Sequence, residues 1–132
     1  MVTDFEKIDA GMFVKADEEW KPDLFPDDLA LSVKSPAGLV IILGCAHRGM
    51  INTLYHVREL GGNRKINLVL GGCHLKNATD EQIWQTISAL NEMGVQRLGV
   101  SHCTGMRATL LLAQIYDKDF IFNHTGNTIS FD

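Results

Sequence analysis

The sequence predicts an α/β domain, a sheet covered by helices. Short apolar runs rich in β-branched residues alternate with segments of helical apolar spacing, and that alternation implies this layering. Three successive strand-to-helix junctions also share one design, each placing a cysteine and a histidine within one or two residues of each other at the strand's exit.

The chain has 132 residues, enough for one domain with a real core. It is 45% hydrophobic and 21% charged, with a net charge of −4 and no long basic block. That balance argues against a dedicated nucleic-acid or anionic-membrane binder. No stretch reaches the ~18 apolar residues of a membrane span. The opening MVTDFEKIDAG is acidic and lacks an apolar signal core. Three cysteines, an odd number, do not make a disulfide scaffold. The expected setting is a reducing cytoplasm.

Residues 1–28 are the least regular and read as an irregular N-terminal segment. DEEWKPDLFPDD joins a charge cluster to two of the three prolines, as an extended surface stretch does, with Trp20 and Phe25 free to dock on the body or line a pocket. From residue 29 to 132 the pattern clears. Leu29 to Lys34 alternates as a half-buried strand, SPAG turns the chain, and Leu39 to Leu43 is a short continuous run suited to a strand covered on both faces. The pair reads as a hairpin. In MINTLYHVREL, Ile51, Leu54, Tyr55 and Val57 or Arg58 keep helical spacing, and Gly61-Gly62 stops the helix. Ile66 to Leu70 is the next buried strand. TDEQIWQTISALNEMG carries a capping box in Thr79 and Gln82, acidic residues at the positive end of the dipole, and an apolar stripe of Ile83, Trp84, Ile87 and Leu90. Val95 to Val100 is a third strand of the alternating series and MRATLLLAQIY a third helix. The tail reads as two short strands about a Gly126-Asn127 turn.

The junctions carry the chemistry. LVIIL leads into Gly44-Cys45-Ala46-His47, INLVL into Gly71-Gly72-Cys73-His74, and VQRLGV into Ser101-His102-Cys103. In open α/β sheets ligands gather beyond the carboxyl ends of the strands, so neighbouring strands would bring three imidazoles to one place. Imidazole is the commonest protein metal ligand, and thiolates suit zinc or iron. Three protein ligands with an open position describe a catalytic zinc site, where bound water loses its proton near pH ~7. His56, mid-helix, and His124, by a turn, read as structural or solvated. Arg48, Lys76 and Arg107 each follow one of the three histidines near a helix start, where a phosphate or carboxylate could be gripped. HCTGMR partly resembles the phosphate loop of cysteine phosphatases, but only Thr104, Gly105 and Met106 stand between Cys103 and Arg107. That span is too short to wrap a phosphate in the same way.

DDLALSVKSPAGLVIILGCAHRGMINTL, LVLGGCHL and GVSHCTG resemble, in order and spacing, the C-terminal half of metallo-β-lactamase-fold hydrolases. The likeness is greatest to the dihydropterin ribofuranosylaminobenzene-phosphate synthase-like branch. The resemblance implies half of an αββα sandwich, a mixed sheet with helices on one face, and a centre of one or two divalent metal ions, zinc or else iron or manganese. It implies His47 and His102 as metal ligands and His74 as ligand or substrate contact at the site's edge. Cys45 stands close enough to compete for the ligand role. His74 and Cys45 are thus the candidates for catalysis, with Arg48, Lys76, Arg107 and Thr104 for binding a small anionic substrate. The sequence departs from the family in two respects: no histidine precedes His47, so the H-x-H-x-D-H motif of the N-terminal half is absent, and no carboxylate stands at any of the three strand exits to bridge two metals. The expectation is a fragment or one partner of a split protein, its bare sheet face covered by a homodimer partner or by a separately encoded N-terminal half. Two further classes stay open: a non-catalytic binding or assembly module that keeps the fold, and a thiol enzyme using Cys45, Cys73 or Cys103.

Overall fold

A computed structural model describes residues 3–131. Its elements are β1 (Phe13–Ala16), β2 (Glu19–Pro22), β3 (Ala30–Ser35), β4 (Gly38–Leu43), α1 (Met50–Leu60), β5 (Ile66–Gly72), α2 (Asp80–Glu92), β6 (Arg97–Ser101), α3 (Met106–Tyr116) and β7 (Phe120–Phe122), with single 3-10 turns at His102–Thr104 and Asp117–Asp119. The main sheet runs β3-β4-β5-β6-β7, in the order of the chain. β3 is antiparallel to β4, and every later pair is parallel.

The apolar periodicity decides which side is covered. Leu39, Ile41, Leu43, Val69, Leu98 and Val100 face α1, α2 and α3 and form one core with Ile51, Leu54, Ile83, Ile87, Leu90 and Leu112. All three helices therefore lie on one face. Opposite them sits a smaller cluster of Val40, Leu68 and Leu70, with Val33, Ile121, Ile129 and Phe131 packed on it. Leu31 and Ile42 are register partners on that same face and stay exposed at 59% and 37%. No described helix is long and apolar enough to cross a membrane.

Three elements differ from the sequence reading. Residues 13–22 form an antiparallel hairpin, Phe13 opposite Pro22, where an extended segment was expected. Lys15 faces Glu18 across its turn, and Asp17 and Glu18 take positive φ there, a turn that the charge cluster disguised. The tail forms one strand, β7. After the Gly126 turn the chain leaves the ladder and lays Ile129 and Phe131 on the small cluster. Trp84 lies outside the stripe of α2, half exposed, and Thr86 takes the buried position by donating its hydroxyl to the Gln82 carbonyl at 2.8 Å.

Helix starts are secured in two ways. Thr79 caps α2, its Oγ1 accepting from Gln82 N at 3.2 Å. Thr79→Ala is expected to cost about 1 kcal/mol, read by chemical denaturation, and no change would remove the cap from the account. α1 begins after Gly49, which has no side chain to offer. Glu6, far away in sequence, supplies the acceptors: Oε1 takes Ile51 N and Oε2 takes Asn52 N, each at 2.8 Å. Burial pushes the Glu6 carboxyl above its usual value, against the pull of those N–H groups.

Candidate metal centre

The sheet register brings the three junctions together. Leu43 lies opposite Gly71, and Gly72 opposite Ser101, so β4, β5 and β6 end at nearly one level. Beyond each end a non-glycine residue takes positive φ: Ala46 at 53°, His74 at 46° and His102 at 22°. Such conformations cost about 1–3 kcal/mol each and persist where the surroundings fix them. Here they turn the chain sharply from sheet to helix.

The donors form two adjoining groups. In the first, the ligand atoms of Cys45, His102 and Cys103 all lie within 4.8 Å of one another. His102 Nε2 is 3.0 Å from Cys45 Sγ, and its Nδ1 is 3.2 Å from Ser101 Oγ. Cys103 Sγ accepts from His74 N at 3.3 Å and lies 3.6 Å from the Cys45 carbonyl. Burial raises the Cys103 thiol, and Cys45 beside it adds to the effect. In the second group the His47 and His74 rings meet with centroids 4.2 Å apart. Phe25 stacks flat on His47 at 4.1 Å, and Asp9 Oδ2 stands 3.8 Å from His74 Nε2. The Nδ1 atoms of His47 and His74 are buried without a partner. A space of about 20 Å³ is lined by Glu6, His47, Cys73 and His74 among others, room for a single small occupant. Burial and the neighbouring His47 push the His74 imidazole down, favouring the neutral ring at neutral pH, while Asp9 pulls the other way.

The remaining expected residues divide. His47 and His74 come together, while His102 joins the two thiols, so the three imidazoles do not make a single compact triad among the described residues. The cause is local: the turn at His102–Thr104 sets Cys103 directly beside His102. Thr104, expected at a substrate's side, is fully buried; its hydroxyl donates to the Ser101 carbonyl at 2.8 Å and accepts from Cys73 N at 3.2 Å, bracing that turn. Arg107 forms an ion pair with Asp80, so its charge is partly used within the fold. The Arg48 side chain is exposed beside an open groove of about 600 Å³ shared with Asp28, Asn52 and His56, and Lys76 is exposed at the start of its loop. His56 and His124 are exposed. Cys73 points into the core, and burial pushes its thiol up to about 12. In the native protein Cys73 is expected to resist iodoacetamide until denaturant is added; rapid native alkylation there would contradict its burial.

Sequence reasoning missed Glu6 and Asp9, and for Phe25 it offered docking on the body or lining a pocket without the stacking on His47. They come from a stretch without periodicity, and their importance depends on a fold-back that no local pattern encodes.

A mixed sheet, helices on one side only, and histidines gathered past the ends of its parallel strands make this chain a partial metallo-β-lactamase-fold domain. The structure of Tm1679, a metal-dependent hydrolase of the β-lactamase superfamily, superposes with a TM-score of 0.75 at 38% identity, covering 83% of this chain and 42% of that one. The chain is also 34% identical over 109 residues to the 7,8-dihydropterin-6-methyl-4-(β-D-ribofuranosyl)-aminobenzene-5′-phosphate synthase of Methanocaldococcus jannaschii, which covers 83% of this chain and 37% of that protein. An uncharacterized protein of the same organism is 29% identical over 126 residues, 96% of this chain and 43% of its own length. The chain thus spans about two fifths of the length of the relatives it matches. No family profile matches it.

The donor chemistry fits a divalent metal. Two thiols and three imidazoles stand at adjoining strand ends, two ring nitrogens are buried without a partner, and the only described carboxylate touching an imidazole is Asp9. Such a set favours zinc over magnesium or calcium, which prefer oxygen.

Proposed function

We propose that the chain is a metal-dependent hydrolase of the metallo-β-lactamase fold, or the metal-site portion of one, acting on a small anionic substrate that bears a phosphate. One observation carries the reading: the exits of β4, β5 and β6 bring cysteine and histidine side chains together in a fold shared with a metal-dependent hydrolase. His47 and His102 are the ligands in this reading, with His74 completing the set or standing at its edge. Zinc is the favoured ion, iron or manganese the alternatives. A bound divalent ion supplies Lewis acidity and a coordinated water of lowered pKa.

The protein's own groups have distinct tasks. His74, neutral at neutral pH, is able to accept a proton, and Asp9 beside Nε2 favours the protonated ring. Cys45, next to His102, competes as a ligand. Arg48 and Lys76 orient the anion, and Arg107 joins them only by leaving Asp80. Phe25 holds the His47 ring against rotation. In this reading the protein works in a reducing cytoplasm, and a homodimer partner or a separately encoded N-terminal half covers the face of Leu31 and Ile42.

Metal content tests the reading. Protein purified without chelator is expected to carry near-stoichiometric zinc, iron or manganese. Metal-free, fully folded protein that takes up none of the three would overturn it. That result would favour the second reading, a binding module that keeps the fold.

A further inference from the structure

We infer that Cys45, His102 and Cys103 form a thiolate-rich site for one thiophilic divalent cation, complete within this chain. The inference rests on the metal reading of the centre but assigns the ion to a sulfur-dominated donor set rather than to imidazoles alone.

The three ligand atoms come from two strand exits, β4 for Cys45 and β6 for the His102–Cys103 pair, and lie within 4.8 Å of one another. A tetrahedral zinc, with Zn–S of about 2.3 Å and Zn–N of about 2.0 Å, holds its donors roughly 3.5–3.8 Å apart. The observed 3.0 Å between Cys45 Sγ and His102 Nε2 and the 4.8 Å bound bracket that spacing. Small side-chain rotations are enough to close around an ion.

The surroundings are arranged for these donors. Ser101 Oγ at His102 Nδ1 leaves Nε2 directed toward the sulfur, the outer-shell orientation that metal-binding histidines commonly have. Thr104 braces the turn that presents adjacent residues 102 and 103 to the same point. The third exit contributes space. A Cβ on Gly72 would stand 2.6 Å from Cys103 Sγ, 2.7 Å from His102 Cε1 and 2.8 Å from its Nε2, so a side chain there would push these donors aside and glycine leaves them their place. His102 is exposed and both cysteines are partly so, which leaves one side of the set open to a water or a substrate atom. Two sulfurs, one nitrogen and an open position match an accessible zinc site better than a closed structural one.

Cobalt(II) added to the chelator-treated full chain under a non-coordinating reductant provides the test. A near-ultraviolet thiolate-to-cobalt charge-transfer band is expected, displaced by zinc. It should fall to about half in Cys45→Ser or Cys103→Ser and vanish in the double variant, whose zinc affinity should drop by at least about tenfold. Cobalt bound with visible bands only, and no thiolate band in the unsubstituted protein, overturns this inference while the hydrolase reading survives on its imidazoles. The unsubstituted spectrum decides this without any variant having to fold. Failure of the unsubstituted chain to bind cobalt or zinc overturns both.

Discussion

Gly71→Ala is expected to abolish stable folding. Gly71 sits in β5 at the centre of the sheet with φ at +120°, a conformation that L side chains rarely adopt. A Cβ there would press into the carbonyl oxygen of Leu43 and stand 2.9 Å from its carbonyl carbon. Those atoms belong to the neighbouring strand's backbone, where Leu43 pairs with Gly71 itself, and they cannot give way without breaking the ladder. The strain and the overlap add, and a loss of about 4 kcal/mol or more is expected, a large share of a small domain's total. Gly94→Ala is the control. Its φ is +67°, yet nothing lies within 4 Å of the added carbon, so only the backbone strain of about 1–2 kcal/mol applies. Urea titrations followed by circular dichroism should separate the two variants clearly. Equal midpoints would show that the β4–β5 pairing is not so tight.

The second large effect is on the ion. The double variant His47→Ala/His102→Ala removes one imidazole from each donor group, since His47 meets His74 and His102 meets Cys45. Retained metal should fall from near one equivalent to near none, with affinity reduced by more than about 100-fold, since even outer-shell changes cost 10–100-fold. Neither ring is part of the main core, so the helices and sheet should survive, with some loosening of Phe25 where its stacking partner is lost. Elemental analysis after gel filtration checks the result. A double variant that keeps its full complement would sink the assignment of these histidines.

The sequence carried the helix-covered sheet because periodicity is local. The run from Leu39 to Leu43, the spacing of Ile51, Leu54 and Val57, and the Thr79 cap each state their element within a few residues. The cysteine and histidine exits were legible for the same reason. What was hidden depends on contacts between distant segments. Glu6 at the start of α1, Asp9 beside His74 and Phe25 on His47 all require residues 3–28 to fold back across the ends of the strands. The partition of donors into a sulfur-rich and an imidazole group was equally invisible. It follows from one tight turn at His102–Thr104, and a turn's effect on side-chain direction is not written in residue types. Trp84 misled because its size suggests burial, whereas the helix phase puts the small Thr86 inside.

In the larger sheet, spatial succession and chain succession coincide. Each new strand finds its neighbour already made one connection earlier, so no pairing has to close more than one helical crossover at a time. No strand there has to wait for a mate emerging late from the ribosome. The exception is the segment that precedes β3, whose Glu6 and Phe25 have nothing to hold until α1 and the β4 exit exist. That segment is therefore made before the surface on which it settles.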